Sequence, residues 1–526
     1  MRENLKKSDD NLQIQTYGKR IFNSQTVGEY FLEFLLVFLG VEKEKDGSLC
    51  YDNTSNNKVA GYRYLMDPHI GLKRFILYEK TKMESRFDVD TEAYNKINQI
   101  LKKKIDSSDI SEDDILSIVR NLFNGFTMVT GDRGWFAQSL MPICKETIFC
   151  EAIGSKSSKP NENRTNLVMI NDSGFNLETE TKFNFKQHLF LARGGEVYFM
   201  HLMQGLNEIA KEQGKEKADE YLQELNFLIF TLINSYPEFS NLAKWIENSW
   251  TNYIKDNSIY RNDSFEDLKK ELSTDGKCQW IPNEYNRRSK YAVLELINIL
   301  KADINPIDKM NLISKGIVFQ ILRMMSELAF IQARAESGNN RSWIIHFNSN
   351  SDADSKIKRV AIENYKNIEE DHIIAVSQKL QYINPQGNQA KKSDIAKLKE
   401  ASLDSYKLLR KLGKDIGIII PIKGDNMRLT LSDEIIRFLV LAIVPTTKKI
   451  TLDTFLNKLY EQFGLIIGPK QLIMNQKERG IIVSESSYLN NNLEQFQSLL
   501  KMNGFLKELS DAISIVINPY ESIREE

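Results

Sequence analysis

Cysteine and histidine are scarce in this chain, with four and five copies respectively among 526 residues. Cys50, Cys144, Cys150 and Cys278 form no CxxC pair and no set with histidine at metal-ligand spacing, so no structural zinc site is expected. Cys144 and Cys150 lie six apart on an expected helix, where two small buried apolar residues are the plainer reading than a redox pair. Unpaired thiols of this kind fit a reduced, cytoplasmic compartment. His69, His188, His201, His346 and His372 are too dispersed in sequence to indicate a His-centred triad or a His-rich metal site.

An excess of one charge is also lacking, because 70 Lys and Arg face 71 Asp and Glu. No long-range field draws the whole molecule to nucleic acid or to an anionic membrane, and any such binding must be local. Long apolar runs are also lacking: no stretch is expected to approach the roughly 20 residues needed to cross a bilayer, and the most apolar early run, Tyr30 to Leu39, spans about ten residues with Glu33 inside it. Neither secretion nor membrane spanning is expected. The sequence has no GxxxxGK[ST] phosphate loop, no GxGxxG after a strand, no HExxH, no GxSxG and no HRD with DFG. Those absences remove the usual NTPase, dinucleotide, metalloprotease, hydrolase and kinase readings, and no cofactor is expected.

What is present is ample apolar material: 41% hydrophobic residues, including 27 Phe, 20 Tyr and 5 Trp. A chain this long exceeds one core, so several domains are expected. The fold class read from the pattern is mainly α and multidomain. A mixed α/β part covers 1–195, a helical domain 196–350, a helical basic connector 351–415, and a winged-helix-like domain 416–526. In the first part, helices are expected over Gly28 to Gly40, Thr91 to Lys104 and Ser111 to Phe123, with a strand at Phe75 to Tyr78. A helix carrying Gln138 and Glu146 follows the Gly131-Asp132-Arg133-Gly134-Trp135 segment, with strands at Leu167 to Ile170 and Thr181 to Phe185.

The middle reads as helices over Glu196 to Lys211, Ala218 to Asn234, Phe239 to Asp256, Ser289 to Lys301 and Pro306 to Arg334. One helix, Asp394 to Leu412, is expected to stop at Gly413. After a strand at Ile416 to Ile422, helices Thr430 to Ile443, Thr451 to Phe463 and Leu489 to Met502 precede a two-stranded tail, Phe505 to Leu509 and Ala512 to Asn518. Three helices and a two-stranded tail is the order of a winged helix, which presents its third helix to a groove.

Three sets of residues are candidates for chemistry or binding. Asp172, Glu180 and Lys182 offer the carboxylates and lysine that a metal-dependent nuclease needs, although acidic residues and lysines are so common here that a solvated hairpin explains them as well. Arg193, Gly194 and Gly195 open a helix whose free N–H groups suit an anion, and the same residues make a plain helix start beside Glu196. Lys391 to Arg428 holds ten Lys or Arg against five Asp or Glu. There Lys399, Lys407, Arg410, Lys411 and Lys414 are placed to follow a phosphate backbone, or to form a solvated helix face. Asn491 and Gln495 on the last helix can read adenine edges and Lys501 a phosphate, but Glu494 lies among them and arginine is absent.

The segments Ala192-Arg193-Gly194-Gly195-Glu196-Val197-Tyr198, Lys411-Leu412-Gly413-Lys414 and Phe463-Gly464-Leu465-Ile466-Ile467-Gly468-Pro469 together resemble large accessory subunits of prokaryotic anti-phage defence and restriction clusters. They cover a small part of the chain and define no catalytic residues. The resemblance implies a subunit that works beside separate ATPase or nuclease proteins. The expected function is therefore a non-catalytic DNA-binding and scaffolding subunit of a multiprotein complex, with double-stranded DNA and an ATPase or nuclease subunit as partners. The alternatives are a metal-dependent nuclease and a protein-only adaptor.

Overall fold

A computed structural model describes residues 11–19, 21, 25–44, 49, 51–52, 61–66, 68–69, 71–80, 88–129, 138–148, 150–151, 169–171, 174–176, 194–257, 274–278, 281–334, 342–347, 354–383, 392–480, 485–510 and 513–523. Helices dominate and the strands are short, so the chain is mainly α. Contacts divide it into two compact units, each assembled from separated stretches: 1–30, 192–229 and 280–526 form one, 31–191 and 230–279 the other. Of the cuts expected near 195, 350 and 415, the first lies beside the 191/192 boundary and the other two fall within the first unit.

The second unit is built on helices Leu72–Leu77, Asp88–Lys102, Glu112–Asn124 and Pro237–Asn257, which enclose Phe75, Ile97, Leu101, Phe123, Ile143 and Trp250. Ser111 caps Glu112–Asn124 by accepting from Asp114 N at 3.2 Å, the cap its spacing predicts. Phe75 to Tyr78 is not the expected strand. It belongs to helix Leu72–Leu77 and the 3-10 turn after it, because that helix is buried all round and a short apolar run carries no period to tell helix from strand. The expected helix through Gln138 and Glu146 is absent too: Ser139–Leu140 is a strand and Lys145–Thr147 a single 3-10 turn, with Pro142 between them unable to continue a helix. Cys144 and Cys150 therefore share no helix, and Cys150 begins the strand Cys150–Glu151. Met169–Asn171 pairs with Gly174–Asn176 as a hairpin, while Thr181 to Phe185 and the Gly131 to Trp135 segment lie outside the described residues.

The first unit is organised around helix Pro306–Arg334, 29 residues long. By length and apolar character this helix meets the requirement for a membrane span, contrary to the expectation that no stretch does; 83% of its apolar window is buried inside the protein, as in a core helix. Phe319 on it packs edge-on against Trp343 and Phe438 and beside Phe463, joining three elements in one aromatic cluster. Helix Ser289–Lys301 lies against Gly194–Gln213 at Gly205, where a Cβ would run into the Ser289 carbonyl. The short helix Leu12–Tyr17 is tied in by buried hydrogen bonds. Gln13 Nε2 donates to the Asp404 carbonyl, its Oε1 accepts from Ile21 N at 2.8 Å, and the Tyr17 phenol meets His372 Nδ1 at 2.6 Å.

The expected single helix Asp394 to Leu412 is in fact two, Lys392–Leu403 and Tyr406–Asp415, broken at Asp404 and Ser405. Gly413 does not end it. It lies inside the second helix, where a Cβ would strike the Ile419 side chain. Beyond it, Ile419–Ile420 pairs with Arg428–Leu429, and helix Asp433–Ile443 starts at the Ser432 cap. Strand Lys449–Thr451 leads into Leu452–Phe463, which Thr451 caps and Gly464 closes in the left-handed region at φ 71°. Helix Pro469–Glu478, not among the helices expected from sequence, uses Pro469 at its first position. After Asn490–Met502 the chain forms Leu506–Ser510 and Ile513–Ile517. Ile513–Ile517 is the middle strand of an antiparallel sheet, with Lys449–Thr451 on one side and Leu506–Ser510 on the other.

Candidate functional site

Charged groups inside the first unit gather on one stripe of Pro306–Arg334. Gln320, Arg323 and Glu327, at spacings of three and four, are all buried, and Glu295 faces them from Ser289–Lys301. Gln320 Nε2 donates to Glu295 Oε2 at 2.7 Å and its Oε1 accepts from Arg323 Nε at 3.1 Å. Three guanidinium groups converge on Glu327: Arg323 at 3.1 Å, Arg287 at 3.2 Å and Arg288 at 3.4 Å. Burial pushes the Glu295 carboxyl up to about 8 against the pull of Arg323 and Arg288. Burial, then the charge of Arg323, pushes the His201 imidazole down to about 3, and His201 Nδ1 meets the Tyr285 carbonyl at 2.7 Å. At neutral pH both groups are uncharged.

A stability profile follows from these two groups. Between 4.5 and about 8 the folded chain holds a Glu295 proton that the unfolded chain releases, so this group makes stability fall as pH rises. His201 has the opposite sign, its effect complete once pH exceeds 6.5. From about 6.5 to 8 the Glu295 slope is no longer opposed by His201, and only the onset of Lys309, whose ammonium burial pushes down to about 8, acts against it. In urea titrations across that window, Glu295→Gln is expected to be flatter than wild type; an unchanged slope would show that Glu295 is already ionised in the fold.

A second buried chain joins Ser326, His372 and Tyr17. Ser326 donates to the Leu322 carbonyl at 2.8 Å, while His372 Nε2 lies 3.3 Å from its Oγ and Nδ1 lies 2.6 Å from the Tyr17 phenol. With the serine proton committed to a carbonyl, Nε2 is the donor and Nδ1 accepts from Tyr17. The imidazole therefore cannot act as base toward Ser326, and the chain reads as core structure. In the second unit, burial and Glu146 push the Cys144 thiol up to about 12, the opposite of an activated nucleophile. Among the described residues no three His, Cys, Asp or Glu come together as a metal-binding group.

The residues singled out in sequence fall into three situations. Asp172, Glu180, Lys182 and Arg193 lie outside the described residues. Gly194 and Gly195 open helix Gly194–Gln213, but a Cβ at Gly194 would meet the Tyr30 ring, and the buried Glu196 carboxylate occupies the first turn, 3.2 Å from Lys19 Nζ. The glycine serves close packing, and the negative charge at this helix start belongs to the chain itself.

The basic stripe is only partly available. Arg410 makes a two-pronged contact with Glu369 at 3.0 and 2.8 Å, and Lys411 donates to the Gln25 carbonyl at 3.0 Å. Lys399 and Lys407 are exposed and Lys414 half-buried. On Asn490–Met502, Asn491 and Gln495 are half-buried, and exposed Lys501 pairs with Glu508 at 3.1 Å. The interior of that helix is held by Asn492, which donates to Ile345 O and Ile467 O and accepts from Phe347 N, each at 2.9 Å.

No family model matches this chain, and neither a curated protein nor a solved structure resembles it to a significant degree. The site must therefore be judged on its own chemistry. Residues 416–526 carry 12 Lys and Arg against 13 Asp and Glu, so this part has no net attraction for a phosphate backbone. Where Asn490–Met502 gives way to the terminal strands, Met502 is 75% and Leu509 64% exposed, large apolar side chains in water. The cluster around Glu327 went unremarked in sequence. Its signal was there, an arginine and a glutamate as the sole charged residues between Gly316 and Ala333 of an apolar helical stretch.

Proposed function

We propose that this chain is a non-catalytic scaffolding subunit of a multiprotein assembly, with a winged-helix-like C-terminal module that docks a protein partner. The observation that carries the reading is the order helix, strand, helix, short strand, two helices and two strands, with the last strand lying in one sheet between the first strand and the one before it. That order supports a winged helix whose presented helix is Asn490–Met502 and whose wing is the Leu506–Ser510 and Ile513–Ile517 ribbon. The near-neutral charge of the module and exposed Met502 and Leu509 favour a protein surface over a phosphate backbone. In keeping with the sequence resemblance, the partner is an ATPase or nuclease subunit.

A second reading, duplex DNA, draws on Lys399 and Lys407, exposed on neighbouring helices, with Lys414, Lys501, Asn491 and Gln495. The two separate cleanly. Under the scaffolding reading, purified protein hydrolyses no ATP, cuts no DNA with magnesium or manganese, and binds duplex weakly with little salt dependence. Met502→Glu with Leu509→Glu then releases the copurifying subunit while the fold is kept. If duplex is instead bound tightly, with a log-log salt slope of about −0.9 per phosphate contact, and replacing Lys399, Lys407 and Lys414 by Gln lowers both affinity and slope, the DNA reading takes its place. Metal-dependent cleavage lost in Asp172→Ala would establish a nuclease.

A further inference from the structure

The helix Ser289–Lys301 begins in an unusual way. Its N-cap position is Arg288, in the left-handed region at φ 65° and ψ 6°, and no side chain caps the first turn. Ser, Thr, Asp or Asn normally accepts from those N–H groups. Here the helix start is buried, Ser289 being 1% exposed, and the two residues before it are arginines. Arg288 has a side chain 5% exposed, and Arg287 reaches toward solvent at 32%. Arg288 spends Nη1 on Glu327, while its Nη2 is buried and has no hydrogen-bond partner; the Ser289 hydroxyl is likewise buried and unpartnered.

The charges around this point are uneven. The carboxylates that act on Arg288 are Glu327 and Glu295. Glu327 already receives Arg323 and Arg287, and Glu295 carries a proton at neutral pH. Buried guanidinium groups therefore outnumber the ionised carboxylate they share, a costly arrangement unless an anion completes it. Helix N–H groups, a positive helix end, a hydroxyl and a guanidinium nitrogen with a free donor are the parts of an oxyanion site.

We propose that the N-terminus of Ser289–Lys301, with Arg287, Arg288 and Ser289, binds a phosphate-type oxyanion, either inorganic or carried on a larger molecule. Arg287 marks the side from which it enters, and Arg288 with Ser289 holds it inside. The inference is independent of the scaffolding reading, since it rests on the core of the first unit rather than on the C-terminal module.

Thermal unfolding of the full-length protein, exhaustively dialysed into chloride buffer, tests it. Titration with inorganic phosphate at constant ionic strength is expected to raise the midpoint in proportion to the logarithm of concentration beyond saturation, with sulfate acting similarly. Arg288→Met is expected to abolish the response. Arg287→Gln, at the more exposed position and so safer for folding, is expected to weaken apparent phosphate affinity by about tenfold. Phosphate released on denaturing protein that was never dialysed would identify the inorganic form, and release of a phosphorylated compound the larger one. An equal response to chloride, or an unchanged phosphate response in Arg287→Gln together with Arg288→Met, would overturn the proposal.

Discussion

Glu327→Ala is expected to lower stability by about 3–5 kcal/mol, a loss as large as truncating a buried aromatic core residue. The carboxylate is 3% exposed and receives Arg287, Arg288 and Arg323, so its removal leaves three guanidinium groups without their shared counter-charge. The lost contacts account for only part of the effect. Most of it comes from the buried charge left behind, which distinguishes this site from a surface ion pair worth well under about 1 kcal/mol. Adding Arg323→Met to Glu327→Ala should therefore recover stability instead of lowering it further. Urea unfolding of wild type, single and double variants measures this, and a single-variant loss under about 1 kcal/mol would mean that water reaches the arginines.

Asn492→Ala should cost about 2–4 kcal/mol, because it strands two carbonyls and one N–H in a dry interior. Its amide joins Ile345, Phe347 and Ile467, the backbone flanking the parallel pair of Trp343–Ile344 with Leu465–Ile466. Asn492→Asp is the sharper variant: it keeps the shape but aims an oxygen at two carbonyl oxygens, so it should be at least as damaging. Exchange of the Phe347 amide with deuterium is the direct readout, expected to speed up in both variants. Protection equal to wild type would show that the strand pair holds without the clamp.

Two of the C-terminal helices, Asp433–Ile443 and Leu452–Phe463, were legible in sequence because each carries a local stop or start that physics enforces. Ser432 and Thr451 cap their helices and Gly464 takes the left-handed position, all independent of the rest of the fold. Errors arose where tertiary packing decides. Phe75 and Ile76 sit in a short run buried on every side, where neither a helical nor a strand period survives. Gly413 looks like a helix terminator by composition and acts as a spacer against Ile419, information held by a residue on another element. Lys449–Thr451 is too short to carry a pattern and becomes a strand by pairing with Ile515 to Ile517.

The candidate site shows the same division. Lys399 and Lys407 were readable as exposed charges, but nothing near Arg410 in sequence announces Glu369, 41 residues away, as the group that engages it. Arg288 gave no signal at all. Its importance depends on a backbone angle and on Glu327, an ion-pair partner 39 residues away on another helix.

The bonds that seat the Leu12–Tyr17 helix set an order for biosynthesis. Tyr17 and His372 are 355 residues apart and Gln13 and Asp404 391 apart, so this segment meets its partners only after several hundred further residues have been made. At about 5–20 residues per second, that wait is on the order of tens of seconds. All residues of the second unit, the last of them Gln279, have been made by then. Throughout that interval Leu12 and Tyr17, fully buried in the finished fold, lack the hydrogen-bonding partners that seat their helix.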